Sequence, residues 1–288
     1  MNSIVARDDT APPAARMGIG ALRVRALSAL VLAVPALAAV YVGAPVFDLL
    51  FGLVALLMAF EWDRLCAAGA KGGKANDPAS WALFAAIAAI TLAAVLQAHE
   101  LALWLAVGGF SIVFLIARGI ERPAPLLQAL GALYIGVPYV SLVWLRADPA
   151  TGLATLLWLL AVVWATDTAA MFAGKTIGGP KLAPVISPNK TWAGLAGGMG
   201  AAAAVGIAFA FFLDAPMLLA ALISAGLAVV AQAGDLGESL VKRHFNVKDS
   251  GTLIPGHGGI FDRVDGLLAV APVWALVLLA GRGWGLWP

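Results

Sequence analysis

Charge is scarce in this chain. Asp, Glu, Lys and Arg make up 12% of 288 residues, against 62% hydrophobic residues. The single cysteine, Cys66, rules out an internal disulfide, and three histidines with no cysteine pair offer no zinc constellation. No Ser–His pair and no exposed cysteine motif marks a covalent nucleophile. The net charge of +2 is too small to argue for a nucleic-acid partner, and none is expected. A mean hydropathy of +0.93 excludes an ordinary soluble domain.

What remains abundant is long apolar runs, and the expected fold class is all-α, a polytopic transmembrane helical protein. Each crossing needs about 20 mostly apolar residues. Nine segments qualify, at roughly 26–43, 45–60, 80–97, 101–117, 126–145, 153–172, 192–213, 215–233 and 264–280. With the N-terminus cytoplasmic, 16 of the 18 cations fall on one side, and only Arg146 and Arg282 lie opposite. Cations stay on the cytoplasmic side during insertion, so nine spans with the N-terminus inside and the C-terminus outside fit the pattern. Residues 1–22 read as a flexible cytoplasmic tail, 23–150 as N-terminal scaffold helices with possible dimer contacts, and 151–288 as a C-terminal catalytic region. Asp48 reads as solvated by the interface. Glu61, Trp62, Asp63 and Arg64 read as an interfacial anchor with local ion pairing.

Polar chemistry is concentrated in the second half. Asp167, flanked by Thr166 and Thr168, falls well inside an apolar run. A carboxylate at bilayer depth costs about 2.5–3.5 kcal/mol on insertion scales, so it calls for a partner, an ion or a wet cavity. The bland alternative is a helix–helix hydrogen bond from a protonated Asp. Ser187-Pro188-Asn189-Lys190-Thr191, just before an apolar segment, reads as a helix start whose free N–H groups and lysine favour an anion. Further on, Asp235, Glu238, Ser239 and Lys242 stand at i, i+3, i+4 and i+7 of a helix continuing out of the eighth span, which is one face. Asp262 and Asp265 share a face at the start of the ninth. Two acidic helix ends joined by a polar loop can converge on a hard cation such as Mg²⁺, the alternative being ordinary interfacial ion pairing of Asp with Arg. Pro255-Gly256-His257-Gly258-Gly259 between them is a turn whose glycines let backbone approach a phosphate. His257 either donates to a phosphate or braces that turn.

Together these residues resemble a known signature. Ser239-x-x-Lys242-Arg243-x₄-Lys248-Asp249-x₅-Pro255-Gly256-His257-Gly258-Gly259-x-x-Asp262-Arg263-x-Asp265 is similar to that of phosphatidate cytidylyltransferases, also called CDP-diacylglycerol synthases. Asp167-Thr168-Ala169-Ala170, Ser187 to Trp192 and Gly234-Asp235-x-x-Glu238-Ser239 resemble other blocks of that family. The likeness covers about the last 130 residues. It departs at Asn189, where the family usually has Lys, at Ala193, where Glu is common, and at Gly266, where a small hydroxyl residue is frequent. The missing Lys puts one phosphate contact in doubt.

The resemblance implies Mg²⁺-dependent transfer of CMP from CTP to phosphatidic acid, with release of pyrophosphate, by a homodimer in the bacterial inner membrane whose site faces the cytoplasm. A second cation such as K⁺ is compatible with it. Asp235 and Asp262 would hold the metal, with Asp265 close by, and Asp235, Asp262, Lys242 and Arg263 would be the catalytic set. Lys242, Arg243, Lys248 and Arg263 would contact phosphates. Asp167, Ser187, Lys190, Thr191, Glu238, Ser239, Asp249, His257, Gly258 and Gly259 would complete the substrate pocket. Two rivals stay open: a CTP-dependent polyprenol kinase or ether-lipid synthase on related machinery, and a transporter using the same carboxylates to couple ions. Transporters usually carry inverted repeats with interrupted helices in both halves, and no repeat is visible here.

Overall fold

A computed structural model describes residues 19–68, 76–251, 253 and 258–281, with side chains from residue 31 onward. Among them are nine helices: α1 (Ile19–Val42), α2 (Val46–Ala68), α3 (Pro78–Val95), α4 (His99–Gly119), α5 (Pro125–Ala147), α6 (Gly152–Thr176), α7 (Trp192–Phe212), α8 (Met217–His244) and α9 (Phe261–Ala280). They follow the nine apolar segments one for one. Seven of them, α3 to α9, are long and apolar enough to cross a membrane. The fold is an all-α polytopic membrane protein. The large apolar side chains that it leaves exposed, among them Trp81, Trp104, Phe211, Leu218 and Leu276, are what a bilayer rather than water would cover.

Three boundaries differ from those read in the sequence. The helix predicted to begin at Ser187 is instead the second strand of a small antiparallel hairpin, β1 (Lys181–Ala183) with β2 (Ser187–Thr191), pairing Lys181 with Thr191 and Ala183 with Ser187. Pro188 lacks the N–H a helix interior needs and sits comfortably in a short edge strand. The helix starts one residue beyond it, at Trp192, where the Thr191 hydroxyl accepts the Gly194 N–H at 3.0 Å. The second difference is α8, which continues through the polar run to His244, as its one-sided pattern predicts. The third is α2, which runs on past residue 60 to Ala68.

That last extension corrects the anchor reading of residues 61–64. Glu61 and Asp63 are 2% and 1% exposed, so neither is an interfacial charge. Asp63 accepts from Arg122 at 2.9 Å, Ser80 at 2.8 Å and Gln128 at 2.9 Å, while Arg122 also pairs with Asp77, the α3 cap, at 2.8 Å. These partners come from α3 and its cap, from α5 and from the α4–α5 connection, which no local pattern around residue 63 could reveal. Asp48 is likewise buried rather than solvated, accepting from Gln97 at 3.1 Å. Removing one partner of a buried ion pair leaves an uncompensated charge, so Arg122→Met should cost about 3–5 kcal/mol. Thermal unfolding in detergent checks this, and an unchanged midpoint would contradict it.

Two packing features shape the second half. The α6–α7 pair is close because small residues face one another: a Cβ on Gly197 would stand 2.5 Å from Ala173, and one on Gly198 would press on Thr166 at 3.1 Å. Where α8 meets α9, a Cβ on Gly234 would stand 2.6 Å from the Ala269 Cβ and 2.9 Å from the Asp265 carbonyl. Gly234 thus lets the two helices touch next to Asp235 and Asp265. Tyr134 stacks on Phe261, Trp62 is tilted against both, and with ring centroids 5.4–5.8 Å apart the three join α2, α5 and α9.

Candidate functional site

The α6 end, the β-hairpin and α8 enclose a cavity of about 630 Å³. Asp167, Lys175, Lys181, Ser187, Asn189, Lys190, Thr191, Gln232 and Asp235 supply its polar lining, and Ala170, Met171, Gly174, Gly194 and Leu195 the apolar remainder. The hairpin exists here because Gly178 and Gly179 take positive φ, at 70° and 89°, and turn the chain back from α6. From β2, Lys190 reaches α8. Its ammonium lies 2.6 Å from an Asp235 carboxylate oxygen and reaches the Gln232 carbonyl at 3.5 Å.

Asp167 lines this cavity. Gln232 donates to it at 3.3 Å. Gln232 was not foreseen, although a glutamine inside an apolar run three residues before Asp235 is the same kind of signal as Asp167 itself.

Asp235 also belongs to a second group. One carboxylate oxygen from each of Asp235, Glu238 and Asp265 lies within 4.8 Å of the others. Asp235 and Glu238 are one helical turn apart on α8, and Asp265 faces them from the first turns of α9 across the contact at Gly234. The pair that the resemblance named, Asp235 with Asp262, is not the one brought together. Asp262 is occupied by Lys242 at 2.7 Å, the Ser250 N–H and hydroxyl at 3.1 and 3.0 Å, and the Gly259 N–H at 2.9 Å. Lys242 bridges back to Glu238 at 2.9 Å. An ammonium therefore joins the Asp262 corner to the three-carboxylate cluster.

All-oxygen donors with several carboxylates suit a hard divalent cation, which keeps part of its water shell when bound by a few acidic groups. The buried oxygen Oε1 of Glu238 has no hydrogen-bond partner. A buried carboxylate oxygen in that state is costly unless a cation or water serves it, so this donor set fits such an ion. The Tyr134 hydroxyl is also buried without a hydrogen-bond partner, within the electrostatic reach of Glu238, Asp265 and Asp235. Nothing around residue 134 in the sequence signals this, because the tyrosine reaches the site from α5 through stacking alone.

The remaining expected residues divide. Ser239 donates to Asp235 at 3.3 Å, and Gly258, at φ 83°, packs so that a Cβ would meet Asp262 at 2.9 Å. Arg243 braces the hairpin and its own helix end, donating to the carbonyls of Ile186 at 3.5 Å and Val247 at 3.2 Å. Arg243, Lys248, Asp249 and Arg263 are exposed and do not line the cavity. His257 lies outside the described residues.

Comparison with known proteins bears on this geometry. A sequence model of the cytidylyltransferase family matches residues 23–280. The phosphatidate cytidylyltransferase of Brucella suis biovar 1 (strain 1330) is 41% identical over 265 residues, covering 90% of this chain and 93% of its own length. The phosphatidate cytidylyltransferase of Bacillus subtilis (strain 168) is 44% identical over 145 residues, half of this chain and 54% of its own. That of Staphylococcus aureus (strain COL) is 42% identical over 148 residues, 51% of this chain and 56% of its own.

Proposed function

The chain belongs to the cytidylyltransferase family, and on that premise we propose that it transfers CMP from CTP to phosphatidic acid, giving CDP-diacylglycerol and pyrophosphate. The observation that carries the reading is a lysine-lined cavity sharing Asp235 with a cluster of three carboxylates. The topology read from the sequence puts the α6–α7 and α8–α9 connections, which carry the site, on the same side as 16 of the 18 cations, and this supports the cytoplasmic face of a bacterial inner membrane. A homodimer and Mg²⁺ belong to the same reading, with a second cation such as K⁺ compatible.

The chemistry asks little covalent work of the protein. A phosphate oxygen of the lipid, already ionised at neutral pH, attacks the α-phosphorus of CTP. A P–O bond forms there while the bond to the bridging oxygen of the β-phosphate breaks, and pyrophosphate leaves with that electron pair. The obstacle is bringing two polyanions together, and positioning with electrostatics overcomes it in phosphoryl transfer. Lys175, Lys181 and Lys190 offset the repulsion within the cavity. Ser187, Asn189 and Thr191 present hydrogen-bonding groups along the hairpin edge and the α7 start, where free N–H groups favour an anion. Asp167, oriented by Gln232, stands opposite to accept from sugar or base donors. Asp235, Glu238 and Asp265 would hold a divalent cation, which supplies Lewis-acid stabilisation of phosphate charge. Lys242 keeps Glu238 and Asp262 in place beside it, and the apolar flank formed by Met171 and Leu195 faces the lipid's approach from the bilayer.

Purified protein incubated with radiolabelled CTP and either phosphatidic acid or a polyprenol tests this. CDP-lipid with pyrophosphate, formed only with phosphatidic acid and a divalent cation, is the expected result. Polyprenyl phosphate with CDP would instead establish the kinase. Within this reading, Lys190→Ala should raise KM for CTP or phosphatidic acid about tenfold, the effect of losing roughly 1.4 kcal/mol of phosphate binding. An unchanged KM and rate would remove Lys190 from the pocket.

A further inference from the structure

We propose that Glu61, on α2 in the N-terminal half, is a positioning residue for the acidic cluster: it caps the start of α9 and so sets where Asp262 and Asp265 stand. The inference rests on the reading of that cluster as a divalent-cation site. Its grounds are geometric. The first N–H groups of a helix have no partner within the helix, and at α9 those of Ile260 and Phe261 are directed at one carboxylate from a helix two hundred residues away. Ile260 N–H lies 2.9 and 2.8 Å from the two Glu61 oxygens, and Phe261 N–H lies 3.1 Å from the second. A carboxylate at this end also opposes the partial positive charge of the helix terminus.

The fit around Glu61 is tight. A Cβ on Gly251 would stand 2.8 Å from its Oε1, and a Cβ on Gly259 would stand 2.7 Å from its Oε2 while overlapping the Ser250 hydroxyl. Ser250 and Gly259 are the residues whose N–H groups hold the Asp262 carboxylate. Glu61 thus sits against Gly251 and Gly259 and holds the α9 start, from whose first turns Asp265 reaches Asp235 and Glu238. An ordinary helix cap would come from the residue just before the helix, yet Ile260 holds that place and has no side chain able to cap. Fixing of metal ligands by residues that never touch the metal typically changes metal affinity or activity about 10–100-fold.

Glu61→Gln is the test variant, because it keeps the shape while replacing one acceptor oxygen with a donor. Three measurements on full-length protein in detergent separate the possibilities. Hydrogen exchange of the peptide spanning residues 259–262 should accelerate at least tenfold in the variant. Mn²⁺ titration followed by electron paramagnetic resonance should give a Kd raised about 10–100-fold. In turnover, the divalent concentration for half-maximal rate should rise by a similar factor while KM for CTP changes less than threefold. If Glu61→Gln does not fold, Glu61→Asp, which keeps the charge but withdraws it from the Ile260 and Phe261 N–H groups, should give the same three changes. A faster-exchanging segment with unchanged Mn²⁺ affinity would overturn the proposal and leave Glu61 a purely structural cap. Unchanged exchange would overturn it as well. Absence of Mn²⁺ binding to the unsubstituted protein would sink the cation-site reading itself, a failure distinct from either.

Discussion

Asp235→Asn should reduce CMP transfer by on the order of 10³-fold while the protein inserts, purifies and unfolds at a nearly unchanged temperature. Asp235 is the one residue common to the lysine-lined cavity and the three-carboxylate cluster. The substitution keeps the side chain's volume and its ability to accept from Ser239, but removes the charge that faces Lys190 at 2.6 Å and any bound cation. Its side chain is 31% exposed, so the loss of that ion pair should contribute little to stability, since partly exposed pairs are worth about 0–1 kcal/mol. Asp265→Asn should resemble it. Glu238→Gln should lower transfer too, with a cost in stability because Glu238 is buried against Lys242. Radiometric transfer assays paired with thermal melts in the same detergent separate these outcomes. Turnover within threefold of normal in Asp235→Asn would remove the cluster from the chemistry.

Lys242→Met is expected to cause the largest combined loss. Its ammonium lies between Glu238 at 2.9 Å and Asp262 at 2.7 Å, and all three side chains are largely shielded from water. Without it, Glu238 is left buried without its counter-ion and Asp262 keeps only its Ser250 and Gly259 hydrogen bonds, and removing one member of such a buried group costs about 3–5 kcal/mol. The variant should therefore melt well below the parent, and the folded fraction should have lost CMP transfer because Asp262 and Glu238 separate. The double variant Lys242→Met/Asp262→Asn relieves the excess charge and should recover part of the melting temperature but none of the activity. If the single variant melts with the parent, Lys242 is not the internal counter-ion that the distances describe.

Most of the fold could be read from hydropathy, because the nine apolar runs mark the nine described helices, seven of which are long and apolar enough to cross a membrane. Individual polar residues of the second half stood out for a related reason. In a chain with so few charges, Asp167, Lys190, Asp235, Glu238, Lys242, Asp262 and Asp265 stand out, and helical spacing alone put Asp235, Glu238 and Lys242 on one face. What stayed hidden depended on contacts between distant elements. Glu61 and Asp63 look like the end of a span until their partners Ile260, Phe261, Arg122 and Gln128 are seen beside them. The exchange of Asp262 for Glu238 within the acidic triad has the same origin. Asp262 is drawn away by Lys242, Ser250 and Gly259, while Gly234 lets α9 close on α8 so that Asp265 reaches Asp235 and Glu238. The β-hairpin went unseen because three- and five-residue strands fall below any periodicity signal.

Crystals grown with Mn²⁺ and CTP, with data collected for anomalous scattering from the ion, address the heart of this account. A peak about 2.0–2.2 Å from oxygens of Asp235, Glu238 and Asp265, with nucleotide phosphate against Lys190, is the expected outcome. A peak elsewhere, or none beside a well-ordered nucleotide, would contradict it.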